Sequence, residues 1–593
     1  MIERRGLIRA AAASLLALSC RQVQGPQQAV AVPEPPVHVR LLSINDFHGQ
    51  LGPGRRVAGR PVGSAGVLGA WLESARAGAR GHTLLAHAGD LVGASPPASA
   101  LLQDEPTVSF LNALANAACR EAGGSAPAFP PDLPLPDTDP RFLPWLDPAC
   151  DVVGAVGNHE LDEGRGELIR LLAGGNHPRG PFLDPVWRGA RYPTLAANVV
   201  DRATGRPILP AFVVKRVAGV QVGFIGVVTH QARTAVEASG IAGLEFRDEA
   251  ETVNKYVAVL KAKGVRAIVV LMHQGGDQPP YSGPTREGTT VEGEIVDLVA
   301  RLDPEVDVVL AGHTHQFMNA WLPAREGPST GSGQVKRVLA VEALSGGSAF
   351  GWVDLEVDRG SGDVVAAQAA VQNAWADEGP GRTPDRAAAL IQAAAEARVA
   401  PMVKRVVCTA AAPIGRAVDD AGESRLGDLV ADAHRTAAPG AQIAFTNRGG
   451  LRADVPAGAV TWGSLFVAQP FGNDLVAMTL TGTQLLAALE QQWAGSRADV
   501  LPVSGLTYSW SASEAYGSRV TEVRVGGAPL EHGRSYRVVV NSFLAGGGDG
   551  FTVFTQGADR VRVGNDLDVL VAYLGSLPQP VVVPRGSRIR ALP

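Results

Sequence analysis

The chain has 593 residues with 53 basic and 58 acidic side chains, a formal net charge of −5, and 46% of its residues are hydrophobic. That length exceeds one ordinary core, so two or more domains are expected, and the lack of a global basic field excludes binding along an extended nucleic acid. With 70 glycines, 42 prolines and 19% charged residues, the composition is that of a globular, loop-rich protein and excludes a disordered or fibrous one.

Residues 1–20, MIERRGLIRAAAASLLALSC, read as an export signal: Arg4, Arg5 and Arg9 make a positive head and Ala10 to Leu18 a short apolar core. The core is too short for a transmembrane helix. RRGLIR resembles a twin-arginine signal, and LALSC resembles a lipoprotein box in which Cys20 takes a lipid anchor. Residues 21–36 form a Pro/Gln-rich linker with little to bury.

From residue 37 to 359, β-rich runs alternate with helix-like segments, as in a layered α/β domain. Cys119 and Cys150 bracket a Pro-rich insertion inside it. An exported chain meets oxidising conditions, so a Cys119–Cys150 disulfide is expected, with two free thiols as the alternative. Residues 360–404 are expected to be a linker and a connecting helix, with Thr383 as N-cap and Pro384 at the first helical position. Residues 405–593 form a second mixed region, with SRLGDLVADAHR and TGTQLLAALEQQW as helices and SYRVVVNSFL as a strand; Cys408 is read as a buried single thiol.

Five hydrophobic runs of the first domain deliver polar groups at their C-terminal ends. VHVRLLSI leads into Asn45-Asp46-Phe47-His48, HTLLAHAG into Asp90, DVVGAVG into Asn158-His159, RAIVVLM into His273, and VDVVLAG into His313-Thr314-His315. In an open α/β sheet such ends converge on one edge, where ligands bind. Carboxylates, imidazoles and an amide oxygen are donors for divalent Zn, Mn or Fe, and two such ions about 3.5–4 Å apart activate water and clamp a phosphoryl group. With four cysteines in the chain, a Cys-rich structural zinc site is excluded. One Asp-X-His pair alone is an ordinary solvated turn; five matches in order point to a metal centre. His82, His87 and His177 stand outside that pattern and are read as structural or exposed.

The ordered segments NDFHG, GD, GNHELD, MHQG and AGHTH resemble those of the calcineurin-like dinuclear metallophosphatases. ESRLGDLVADA, TNRGGLR, PFGNDL and NSFLAGGGDGF resemble the C-terminal domain of the 5'-nucleotidase and UDP-sugar hydrolase family. The resemblance implies a four-layer α/β/β/α metallophosphatase sandwich followed by a second α/β domain that recognises substrate. It implies two divalent metal ions, with Asp46, His48 and His315 on one, Asn158, His273 and His313 on the other, and Asp90 bridging. It further implies that His159, oriented by Asp162, acts on the oxygen leaving phosphorus while metal-bound hydroxide attacks; Glu160 is read as structural.

For substrate, the resemblance implies Asn447 and Arg452, an aromatic pair Phe471 and Phe543 around the base, and Asp549 on the ribose. Where animal relatives carry another phosphate-contacting arginine this chain has Gly422, and Arg425 is the expected substitute. The expected activity is release of phosphate from nucleoside 5'-monophosphates, so the partner is a small nucleotide. The alternatives are 2',3'-cyclic nucleotides or UDP-sugars as substrates, a thiosulfohydrolase, and a non-catalytic nucleotide-binding lipoprotein.

Overall fold

A computed structural model describes residues 34–593, apart from 128, 326–335, 496–497 and 585. The export signal, Cys20 and nearly all of the 21–36 linker therefore lie outside the described residues. The first domain is built on two six-stranded sheets. Its strands, in chain order, are β1 (Val37–Ile44), β2 (His82–Ala88), β3 (Val152–Ala155), β4 (Thr194–Leu195), β5 (Phe212–Val217), β6 (Val220–Val228), β7 (Ala267–His273), β8 (Val308–Ala311), β9 (Phe317–Pro323), β10 (Arg337–Ala343), β11 (Ala349–Val357) and β12 (Val364–Asn373). One sheet runs β12-β11-β1-β2-β3-β4 and the other β9-β10-β8-β7-β6-β5.

The layering follows from which side of each strand is apolar. Leu41, Leu84, Ala86 and Val153 of the first sheet pack against Phe224, Val269, Leu271 and Leu310 of the second, forming a sheet-on-sheet core. The opposite face of the first sheet, with Leu42, Ile44 and Leu85, is covered by α1 (Ala65–Ala77), α2 (Glu105–Leu114) and α3 (Gly164–Ala173). The opposite face of the second, with Ile268, Val270 and Met272, is covered by α4 (Glu249–Ala262). A strand such as β7 is apolar at nearly every position because both of its faces are buried. The four layers match the expected sandwich.

Two local expectations are corrected. Residues 360–404 do not start as a linker: β12 pairs antiparallel with β11 and forms the edge of the first sheet. The Ala-rich helix α5 (Arg386–Val403) is capped by Asp385, whose carboxylate accepts the Ala388 N–H, and Thr383 and Pro384 precede it. A carboxylate at the N-cap satisfies an otherwise orphaned N–H and faces the positive end of the helix dipole. The helix buries Ala388, Ala395 and Val399 in the outer layer of the first domain, so it is a packed element there and more than a connector. Cys119 and Cys150 form a disulfide, and Cys408 is a buried free cysteine.

The second domain carries a five-stranded sheet of β13 (Ile443–Phe445), β14 (Asp474–Thr481), β15 (Val503–Ser504), β16 (Ser535–Asn541) and β17 (Ala558–Asn565), ordered β15-β13-β16-β14-β17. The expected helices are α6 (Arg425–Thr436), capped by Ser424, and α7 (Gly482–Gln491), closed by a Thr481/Gln484 capping box. A further helix, α8 (Asp566–Ser576), packs against α6 through Leu567, Leu570 and Leu574. No helix among the described residues is long and apolar enough to cross a membrane.

Candidate functional site

The five polar strand ends come from both sheets: β1, β2 and β3 from one, β7 and β8 from the other. Where the sheets face each other at these ends, Asp46, His48, Asp90 and His315 form a donor group whose ligand atoms all lie within 4.8 Å of one another, and Asp90, His273 and His313 form a second. Asp90 is common to both. Asn158 places its Oδ1 3.1 Å from His273 Nε2, beside the second group.

The backbone bends hard to achieve this. Asp46, His48, Asp90, His313 and His315 all have positive φ, between 48° and 78°. Such conformations cost roughly 1–3 kcal/mol each and persist where surrounding structure holds them. Two buried glutamates do much of that holding. Glu160 accepts the N–H groups of Asp90, Leu91 and Gly157, tying the β2 and β3 ends together. Glu342 accepts Gly276 N–H, Gln316 N–H and the Thr314 hydroxyl, tying the β7 and β8 ends. Glycine does the rest at the closest approach: a Cβ on Gly89 would sit 2.6 Å from both Gly157 N and His273 Nδ1.

The donors suit divalent ions. His48 Nδ1 lies 2.9 Å from Gly93 O and His273 Nδ1 2.8 Å from Ala88 O, so each donates Nδ1–H to a carbonyl and keeps Nε2 for a metal. Asp46 and Asp90 are 0% and 1% exposed, and two carboxylates so buried call for cations. Burial acts to raise Asp90, but the charges of His273, His159 and His48 overcome it and hold the carboxyl well below its usual range. Burial also lowers His313 to about 4 and His48 well below its ordinary value. His273 is lowered by burial but carried to about 10 by Asp90, so a metal binding there takes the place of a proton.

His159 is placed differently. Its Nδ1 is 2.7 Å from Asp162 Oδ2, and its backbone N–H donates to Asp90 Oδ1 at 2.9 Å. Burial lowers its basicity, while Asp162 and Asp90 more than restore it, to about 9. Its ring stacks on Phe471 of the second domain, centroids 5.6 Å apart and 17° between planes.

Phe471 lines one cleft of about 330 Å³ with Asp90, Asn158, His159, Asn447, Arg452, Phe543 and Asp549. Asn447 donates to Asp549 Oδ2 at 3.0 Å and accepts from Asn541 at 2.9 Å, which fixes both amide ends. Burial, then Asp499, push Asp549 up to about 7, and the Asn447 bond works against them.

Arg425 is the exception among the expected site residues. As the first residue of α6 it lines a separate cleft with Asp419, Glu423 and Asp428, and is not among the residues lining the cleft with the metal donors. The cations that accompany Arg452 are Arg55 and Arg416, which the sequence pattern does not reveal. Burial lowers Arg55 and Arg452, and the repulsion of Arg416 adds to it in both. None of the three has a carboxylate at ion-pair distance among the described residues. Arg55 sits in a Gly/Pro-rich hairpin, GPGRRVAGRPVG, whose pattern carries no sign of the site.

Residues 39–317 match the calcineurin-like phosphoesterase family and residues 406–556 the 5'-nucleotidase, C-terminal domain. The chain is 33% identical over 575 residues to endonuclease YhcR of Bacillus subtilis, covering 95% of this chain and 42% of that protein, so it spans less than half of that relative's length. It is 33% identical over 583 residues to cell wall protein Lmo0130 of Listeria monocytogenes, covering 91% of this chain and 67% of that one. Among solved structures, a 5'-nucleotidase precursor from Thermus thermophilus is similar with a TM-score of 0.70 and 28% identity, covering 94% of this chain and 99% of that one.

Proposed function

Because this chain belongs to the calcineurin-like phosphoesterases that carry a 5'-nucleotidase C-terminal domain, we propose that it is an exported enzyme releasing phosphate from nucleoside 5'-monophosphates. The family makes it a metal-dependent phosphoester hydrolase with two divalent ions. One observation carries the substrate reading. A single cleft has the metal donors at one end and Asn447, Phe543 and Asp549 at the other, with His159 stacked on Phe471 where they meet.

Bound ions supply the Lewis acidity and the activated water of such sites. Asp46, His48 and His315 would hold one, Asn158, His273 and His313 the other, with Asp90 between them. His159 keeps Nδ1 on Asp162, which leaves the Nε2 proton for the oxygen departing from phosphorus. Its raised basicity, to about 9, keeps that proton in place at neutral pH. Arg452 offers a guanidinium fork to the phosphoryl oxygens, and Phe471 with Phe543 supplies faces for the base. The signal pattern in residues 1–20 and the Cys119–Cys150 disulfide support export.

The test is the initial rate of phosphate release from 5'-AMP relative to p-nitrophenyl phosphate, with manganese or zinc added. A strong preference for AMP is expected, and equal rates would remove the nucleotidase reading while leaving the phosphatase. A second reading has its own observation: Arg452 lines the cleft, and Arg55 and Arg416 lie near enough to act on its charge, bringing more positive charge beside the cleft than one phosphate needs. They favour substrates with a further phosphoryl group or a diester, such as UDP-sugars or 2',3'-cyclic nucleotides. Faster hydrolysis of these than of AMP would establish it, read by chromatography of the nucleotide products because opening a diester or a pyrophosphate frees no inorganic phosphate.

A further inference from the structure

We infer that Glu163, Glu167 and His177 form a third metal site, separate from the strand-end centre, that takes one divalent transition-metal ion such as zinc. Glu163 is the N-cap residue of α3, Glu167 stands one turn further along, and His177 returns from the segment after the helix. Their ligand atoms all lie within 4.8 Å of one another. Two carboxylates and an imidazole are a donor set for zinc with an open position for water.

His177 distinguishes this group from an ordinary acidic surface. It is 8% exposed, and its Nδ1 accepts the Arg179 backbone N–H at 3.1 Å and lies 2.9 Å from the Arg179 carbonyl oxygen. Nε2 has no partner among the described residues, and the Arg179 carbonyl at 2.9 Å can take the Nδ1 proton when an ion occupies Nε2. His48 and His273 likewise have Nδ1 against a backbone carbonyl and Nε2 turned to the strand-end donor group.

The charges also call for a cation. Glu163 has no hydrogen bond or ion pair among the described residues, and it faces the charges of Asp104, Glu167 and Asp162 with His177 as the opposing group. Glu167 accepts from Arg170 at both oxygens, from Nη2 at Oε1 at 2.7 Å and from Nε at Oε2 at 2.8 Å. Were Glu167 to turn to a metal, Arg170 would keep Glu105 at 2.7 Å and Gly175 O at 2.8 Å. Metal bonds of about 2.0–2.1 Å require these donors to close by roughly 1 Å, a movement that an exposed glutamate makes by changing rotamer. Glu163 directly follows Asp162, so an ion here would pin the turn that orients His159 to the segment beyond α3.

The full chain, stripped with a chelator, reloaded with zinc and freed of excess, is assayed for zinc per chain by plasma mass spectrometry. Glu163→Gln and His177→Ala are each expected to hold one ion fewer than the unaltered chain. Asp90→Ala, which disables the strand-end centre, is expected to keep one ion that adding Glu163→Gln removes. An unchanged count in Glu163→Gln overturns the proposal, and because Glu163 is exposed that variant stays informative even where His177→Ala unfolds. If Asp90→Ala alone leaves the count unchanged, the strand-end reading fails instead, and the Glu163 comparison still judges this site.

Discussion

The two ends of the cleft are built on opposite principles. At the metal end, every donor is carried by a strand end, five donors have left-handed backbone, and Glu160 and Glu342 clamp the loops through their N–H groups. At the other end, Asn447, Phe543 and Asp549 sit on turns and short helices, held by side-chain amides, and the arginines have no acid partners among the described residues. Chemistry that needs fixed atoms is mounted on the sheets, and recognition that tolerates different ligands is mounted on loops. His159 stacked on Phe471 is where the two meet.

The largest effect should come from Asp90→Ala. Shared by both donor groups, Asp90 should take metal binding and phosphatase activity on every substrate with it, read by metal analysis and rates. His159→Ala should keep its metals but lose about 10²–10⁴-fold in kcat on AMP; loss of metal in this variant would place His159 among the ligands.

Phe543→Ala probes the other end. It should weaken AMP by about 1–3 kcal/mol in kcat/KM, the range for stacking on one base, and leave p-nitrophenyl phosphate untouched. Phe471→Ala, against His159, should slow both. Equal losses on both substrates in Phe543→Ala would erase the division between the ends.

The smallest effect concerns Asp566 at the start of α8, which accepts from Asn473 Nδ2 at 3.2 Å, and Asn473 lines the cleft. Burial pushes its carboxyl up to about 7. With a folded value above the unfolded one, its contribution is complete below about pH 4 and is lost as pH rises through about 7. Asp566→Asn should therefore flatten the fall in Tm between about pH 5 and 8. A parallel pair of Tm profiles would contradict this.

Much of the metal end is legible because strand ends and polar donors leave a linear record. A hydrophobic run followed by Asp, His or Asn can be read off one position at a time, and five such runs in order point to one centre. Asp46 through His315 emerge in this way, and His159 and Asp162 lie beside each other as the GNHELD spacing implies. The disulfide is legible for a similar reason, since oxidising export and two flanking cysteines need no knowledge of the fold.

The other features depend on which distant segments meet. Arg425 looks like the missing phosphate contact because it is near Gly422 in sequence, but its position at the start of α6 turns it into another cleft. Arg55 and Arg416 lie 361 positions apart in the chain and meet only when the hairpin after β1 faces the second domain. Strand β12 is hidden in an apparent linker because an edge strand needs apolar residues on one face only. Local spacing and side-chain chemistry were enough to set the strand-end donors and the domain types. They could not say that the donors come from two facing sheets, which arginines gather beside Arg452, or that His159 lies on Phe471, because charge proximity and ring stacking are properties of the folded chain.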